Sequence, residues 1–143
     1  MTVLPDTGYC PTDEELSEIQ EWFAAYDAAS GRRDIEAMAD VAVFPLNLVS
    51  DDSAGQGASA QWDRQQFVAA MTRIMGDGDE GITFDSTRTP VFLGPSLAVV
   101  FTDSVMTAEG RTQRLRYADI LVRQGDSWAF QTMIQGGWGD QLA

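Results

Sequence analysis

The chain contains no histidine, so no imidazole is present to carry a proton. The same absence removes the commonest transition-metal ligand and the commonest general base, so neither zinc chemistry nor Ser-His-Asp catalysis is expected. Three residues then stand out. Asp119 and Tyr117 lie two apart on the strand-like run Thr112 to Gln124, which puts an acid and a phenol on the same sheet face. Asp51 follows the segment "FPLNLVS" at the head of a stretch rich in Asp, Ser and Gly. The run "GDGDEG" (76–81) invites a calcium reading but fails it. At the twelfth loop position, counted from Asp77, Arg88 stands where a bidentate Glu is required, so an acidic connection is expected and no metal site. The "GQG" at 55–57 lacks the third glycine of a nucleotide fingerprint.

The elements that must position these groups are readable from period and caps. Thr12 and Glu15 form a capping box, and Leu16, Ile19, Trp22, Phe23 and Tyr26 then recur at helical spacing until Gly31. Asp34 caps a second, short helix carrying Ile35, Met38 and Val41. Pro45 disfavours helix at Phe44, so the chain turns extended through Leu46 to Val49. Ser50 to Ala60 reads as a mobile loop. Asp63 and Gln66 cap a third helix, with Phe67, Ala70, Met71 and Ile74 inward and Gly76 at its end. The period then changes. Ile82 to Leu93, Ser96 to Thr107, Thr112 to Gln124 and Ser127 to Trp138 are strand-like, separated by Gly94-Pro95, Glu109-Gly110 and Gly125-Asp126. The expected class is α+β: three N-terminal helices packed on the concave face of a curved antiparallel (or mixed) sheet. Residues 1–11 read as an irregular leader and 12–143 as a single domain.

Two-residue turns at Glu109-Gly110 and Gly125-Asp126 fix a register. Thr102 falls opposite Tyr117, Val100 opposite Asp119, and Asp119 opposite Thr132. The inner face then collects Val100, Thr102, Met106, Leu115, Tyr117, Asp119, Leu121, Phe130, Thr132 and Ile134, a mainly apolar wall with one carboxyl. The outer face collects Val99, Phe101, Asp103, Arg114, Arg116, Ile120, Gln131 and Gln135, with Asp103 placed to pair with Arg116. That mixed face suits a homodimer interface.

Nine Lys plus Arg against 22 Asp plus Glu give a net charge of −13, which repels phosphate backbones and anionic lipid. No nucleic-acid or membrane partner is expected. Cys10 is the sole cysteine, so no intrachain disulfide can form. With no basic, apolar leader at the start and no apolar run of about 18 residues, the expected setting is cytoplasmic.

The segments "IQEWFAAYDAASGRRDIEAMADV", "WDRQQFVAAMTRIM" and "RLRYADILVRQGDSWAFQTMIQGGW" together resemble the ketosteroid-isomerase-like family, also called nuclear transport factor two-like, with its polyketide cyclases and scytalone dehydratase. The resemblance spans residues 13–138. It implies a cone enclosing a pocket for a small apolar molecule, with no cofactor, often in a homodimer. It places Asp119, six residues before Gly125, at the family's oxyanion-hole acid, where an apolar setting keeps a carboxyl protonated and able to donate a hydrogen bond. That logic is worked out in general for ketosteroid isomerase itself. Where the isomerases carry an oxyanion-hole tyrosine this chain has Trp22, so Tyr26 or Tyr117 would substitute. The family's general-base position falls on Asn47, Ser50 or Asp51, of which only Asp51 is a base. The resemblance therefore implies a metal-free isomerase, dehydratase or cyclase acting on a small carbonyl or polyketide-like compound, with Trp22, Tyr26, Thr102, Thr132 and Ile134 around the ligand. The alternative is a non-catalytic dimeric binding or protein-interaction module.

Overall fold

The computed structural model describes residues 8–75 and 83–142. Residues 1–7 of the expected leader, the acidic run 76–81, and the expected helix end at Gly76 and strand start at Ile82 lie outside the described residues. Helix α1 (Asp13–Gly31) and the six-residue α2 (Ile35–Asp40) are followed by β1 (Ala42–Asp51) and β2 (Gly57–Trp62). Helix α3 (Arg64–Met75) comes next, then β3 (Thr83–Gly94), β4 (Leu97–Ala108), β5 (Arg111–Gln124), β6 (Ser127–Gln135) and a short 3₁₀ turn, Gly139–Gln141.

The caps act as their residue types dictate. The Glu15 amide donates to Thr12 Oγ1 at 3.1 Å, and the Thr12 amide donates to Glu15 Oε1 at 3.0 Å. Asp63 and Gln66 close α3 in the same reciprocal way, both bonds at 2.8 Å. Helix α1 ends in a Schellman turn: the Asp34 amide reaches Ala29 O (2.9 Å) and the Arg33 amide reaches Ser30 O (3.0 Å). The left-handed residue of that turn is Arg33, at φ 57°, not a glycine.

The helices are not consecutive, which corrects the expectation of three N-terminal helices. The β1–β2 hairpin intervenes between α2 and α3, and it occupies most of the segment expected to be a mobile loop. Asp52 organises its turn: the Asp52 carboxylate accepts from the Ala54 amide (3.0 Å) and the Gln56 amide (2.9 Å). Strand β2, "GASAQW", has neither β-branched residues nor a strong apolar alternation. Its strand state comes from pairing with β1, Leu46 opposite Trp62 through Asp51 opposite Gly57.

The six strands are ordered β2-β1-β6-β5-β4-β3, antiparallel except for β1 with β6, so the sheet is mixed. Both glycine-containing turns expected after β4 and β5 are present, with Glu109, Gly110 and Gly125 at positive φ as such turns require. Val100 pairs with Asp119 and Thr102 with Tyr117, as the turn spacing demands. The third pairing differs. A bulge between Ile120 and Leu121 sets Asp119 opposite Met133 and moves Thr132 opposite Ile120. One extra residue reverses the parity of the strand beyond it, so Thr132 and Ile134 do not share Asp119's face. The Thr132 hydroxyl is instead bonded to Gln131 Oε1, at 2.6 Å.

Helices cover one side of the sheet. Ile19, Phe23 and Phe67 from the helices meet Leu46, Val100, Leu121 and Phe130 from the strands, all at most 1% exposed. On the other side Phe101, Val91, Leu93 and Val105 stand exposed around Asp103. The partner expected for Asp103 was Arg116. Arg116, directly opposite, forms that ion pair at 3.8 Å, and the diagonal Arg114 adds two hydrogen bonds (2.9 and 2.6 Å). Among the described residues no helix is long and apolar enough to cross a membrane.

Candidate active site

Between the helices and the inner sheet face lies a cavity of about 310 Å³. Its walls are apolar, drawn from residues such as Phe23, Met38, Leu48, Met71 and Phe130. Against them stand Tyr26 and Asp27 from α1, Arg88 from β3, and Tyr117 and Asp119 from β5. An apolar chamber with a few converging polar groups is the usual form of a small-molecule site.

Arg88 organises the polar end. Its guanidinium clamps Asp27 with two hydrogen bonds (2.5 and 3.0 Å), donates to Tyr117 Oη (3.1 Å) and Thr102 Oγ1 (3.3 Å), and lies 4.2 Å above the Phe23 ring. Its side chain is 6% exposed, against 38% for Asp27. Burial disfavours its charge, but the bonds to Asp27 and Tyr117 and their fields outweigh that and hold it protonated. Because Tyr117 Oη accepts from Arg88, its own proton is left for another acceptor. Burial raises the Tyr117 pKa and the Arg88 cation opposes the rise. Tyr26 is pushed upward more strongly, chiefly by burial and then by the field of Asp119. Both phenols are therefore hydrogen-bond donors at neutral pH.

Asp119 is 4% exposed, and its carboxyl makes no hydrogen bond among the described residues. Burial pushes its pKa from 3.8 up to about 7, against the lowering influence of Arg88. A carboxyl in that state takes up and releases a proton near neutrality.

Three residues named from the sequence, Asp119, Tyr117 and Tyr26, thus meet at one cavity, and Ile134 also touches its wall. Thr102 does not line the cavity; its buried hydroxyl accepts from Arg88. Trp22 packs away from the cavity on Phe130 (4.8 Å) and Phe23 (5.0 Å). Asp51 is likewise absent from the lining. It fastens the C-terminal segment: its carboxylate accepts from the Gly137 amide at 2.6 Å, while Ser50 Oγ accepts from the Trp138 amide at 2.8 Å. That segment lays Trp138 and Leu142 over the cavity, and the Trp62 indole donates to Leu142 O at 3.2 Å.

Arg88 and Asp27 were missed by sequence reasoning, which weighed Arg88 only as a defect in a calcium loop. For Arg88 the hairpin register misleads: a two-residue Gly94-Pro95 turn sets Thr87 opposite Thr102, and only the register shift between Phe92 and Gly94 brings Arg88 there, on the inner face. Asp27 left no signal, because its role depends on α1 lying across β3.

No protein-family model and no curated protein matches the chain. Solved structures do. An NTF2-like protein of unknown function from Pseudomonas putida KT2440 aligns over 87% of both chains with 19% identity and a TM-score of 0.70. A domain of unknown function with a cystatin-like fold from Nostoc punctiforme PCC 73102 aligns over 88% of this chain and 78% of its own, at 13% identity and TM-score 0.65. A protein provisionally assigned as an NTF2-like dehydratase from Streptomyces avermitilis aligns over 88% and 98%, at 15% identity and TM-score 0.67. At such identities the likeness concerns fold alone. The chain has the NTF2-like, cystatin-like α+β fold, and that fold is the one the sequence resemblance implied.

Proposed function

We propose that the cavity takes a small, largely apolar carbonyl compound and that Asp119 moves a proton on it, in an isomerisation, dehydration or cyclisation. The observation that carries this is the Asp119 carboxyl itself: buried, facing the cavity, and without a hydrogen-bond partner among the described residues. A structural carboxylate would be bonded to a neighbour, whereas one that meets a cavity and no protein donor is available to a ligand. In this reading the ligand oxygen accepts from Tyr117, whose phenol is backed by Arg88, and from Tyr26. Asp119 in its ionised form removes a proton beside the carbonyl, and negative charge develops on the oxygen held by the phenols. The protonated Asp119 then returns that proton to another carbon, or to a departing hydroxyl that leaves as water. Asp27, held on both oxygens by Arg88, positions the cation. Asp51 has no part in the chemistry. The provisional dehydratase among the similar structures fits this class of reaction.

The exchange of the α-protons of 2-tetralone in D₂O, followed by NMR, tests the reading. The protein accelerates exchange over buffer, the rate climbs with pH to a plateau above about 7, and Asp119→Asn abolishes the acceleration. Equal exchange by Asp119→Asn and the parent protein would remove Asp119 from the chemistry. Binding of the ketone without exchange would favour a non-catalytic carrier of the same fold.

The outer sheet face supports a further part of this proposal, self-association of two copies. Phe101, at 54% exposed, shares that face with exposed Val91, Leu93 and Val105, apolar surface of the kind that marks an interaction site.

A further inference from the structure

We infer that Arg33 is a specificity residue of the cavity, selecting ligands that carry a carboxylate or similar anion at the end remote from the oxygen held near Asp119. The inference rests on the proposed binding of a carbonyl compound in that cavity. Two independent observations carry it.

The first is backbone strain at a position with an easy remedy. Arg33 is the left-handed residue of the Schellman turn that ends α1, at φ 57°. Glycine is the usual occupant there because a Cβ is disfavoured in that conformation. The chain has Gly31 two residues earlier, where the backbone does not require it, and an arginine where it would help. Strain retained at a cavity rim points towards function.

The second is charge. The cavity lining holds two cations, Arg33 and Arg88. Arg88 is neutralised by Asp27 through its two bonds. Arg33 is half-buried, and its guanidinium makes no hydrogen bond or ion pair among the described residues. Among those residues it is therefore the one lining cation free to meet a ligand. The chain as a whole carries −13, a field that turns anions away. A lone guanidinium at the rim offsets that field locally and offers a planar donor fork to a carboxylate. Asp119 is deep and Arg33 reaches solvent, so the geometry sorts the ligand's two ends: carbonyl inward, anion outward.

A matched pair of probes tests this: 2-tetralone, and 2-tetralone bearing a carboxylate on the opposite ring edge, each titrated by NMR. The parent protein binds the carboxylated ketone about ten-fold more tightly than 2-tetralone, as a charge-assisted pair at a partly exposed site implies, and the advantage shrinks with added salt. Arg33→Gln brings that ratio to about one or below, and Arg33→Lys retains part of it. Arg33→Gly does the same to the ratio while raising Tm by roughly 3 °C, which reports the relieved strain separately from the lost charge. If 2-tetralone binds and its carboxylated partner binds no better, the role of Arg33 is overturned and the cavity reading stands. If neither probe binds, both are overturned.

Discussion

Replacing Asp119 by asparagine removes an ionisation and leaves shape and hydrogen-bonding capacity nearly intact, so its stability effect must depend on pH in a specific way. Burial raises the folded-state pKa to about 7 from 3.8. The folded protein therefore holds its proton after the unfolded chain has released it. Stability tied to the protonated carboxyl is fully present below about pH 4, declines as pH rises, and is lost once pH passes about 7. The whole window corresponds to about 4 kcal/mol. No solvent discount applies, because Asp119 is 4% exposed. Between about pH 5.5 and pH 8.5, roughly 2 kcal/mol of it is lost, equivalent to about 6 °C in Tm for a domain of this size. The assay is urea and thermal unfolding of both proteins at those two pH values. The stability difference, variant minus parent, should rise by that amount, and every other titrating group cancels in the subtraction. A difference that stays flat across this range would refute the buried, proton-holding Asp119 and the chemistry built on it.

Three other substitutions have outcomes set by particular residues. Arg88→Met leaves Asp27 and Tyr117 without their donor; since Asp27 reaches solvent, thermal unfolding should report a loss of about 2 kcal/mol, below that of a fully buried pair. The same change removes the cation that holds Asp119 down, so the pH midpoint of tetralone exchange should move upward. At Gly139 an added Cβ would meet Asp51 O at 2.6 Å and Asp52 Cα at 2.8 Å, both backbone atoms that cannot step aside. Gly139→Ala should therefore displace the C-terminal segment, cost about 1–3 kcal/mol in unfolding experiments and increase solvent quenching of Trp138. Phe101→Asp, on the outer sheet face, should turn a dimer into a monomer in sedimentation velocity while leaving tetralone exchange in place. A monomeric parent protein would defeat the self-association proposal.

Local rules were enough for much of this molecule. The capping pairs Thr12/Glu15 and Asp63/Gln66, and the glycine turns after β4 and β5, act between neighbours in sequence, so residue type alone positioned them. A short turn also transmits its register along both strands, and that is why Val100 opposite Asp119 and Thr102 opposite Tyr117 were legible from residue order alone. The placing of Asp119 inside was legible for the same reason. Where pairing is set at long range, sequence signals faded. Strand β2 has alanines and serine where a strand would show branched residues, and its partner β1 supplied the pattern. The bulge between Ile120 and Leu121 left no mark in composition, yet it reversed the parity of Thr132 and Ile134. Asp51 stood as a base only through the family resemblance; the folding back of Gly137 gave it a structural partner instead. Arg88 and Asp27 are 61 residues apart, and their ion pair exists because α1 crosses the sheet over β3. The sequence by itself determined which carboxyl faces inward, through turn geometry and strand period. Only the tertiary structure decided what surrounds it, because burial, charge pairing and the orphaning of a hydrogen-bonding group are properties of groups brought together from distant parts of the chain.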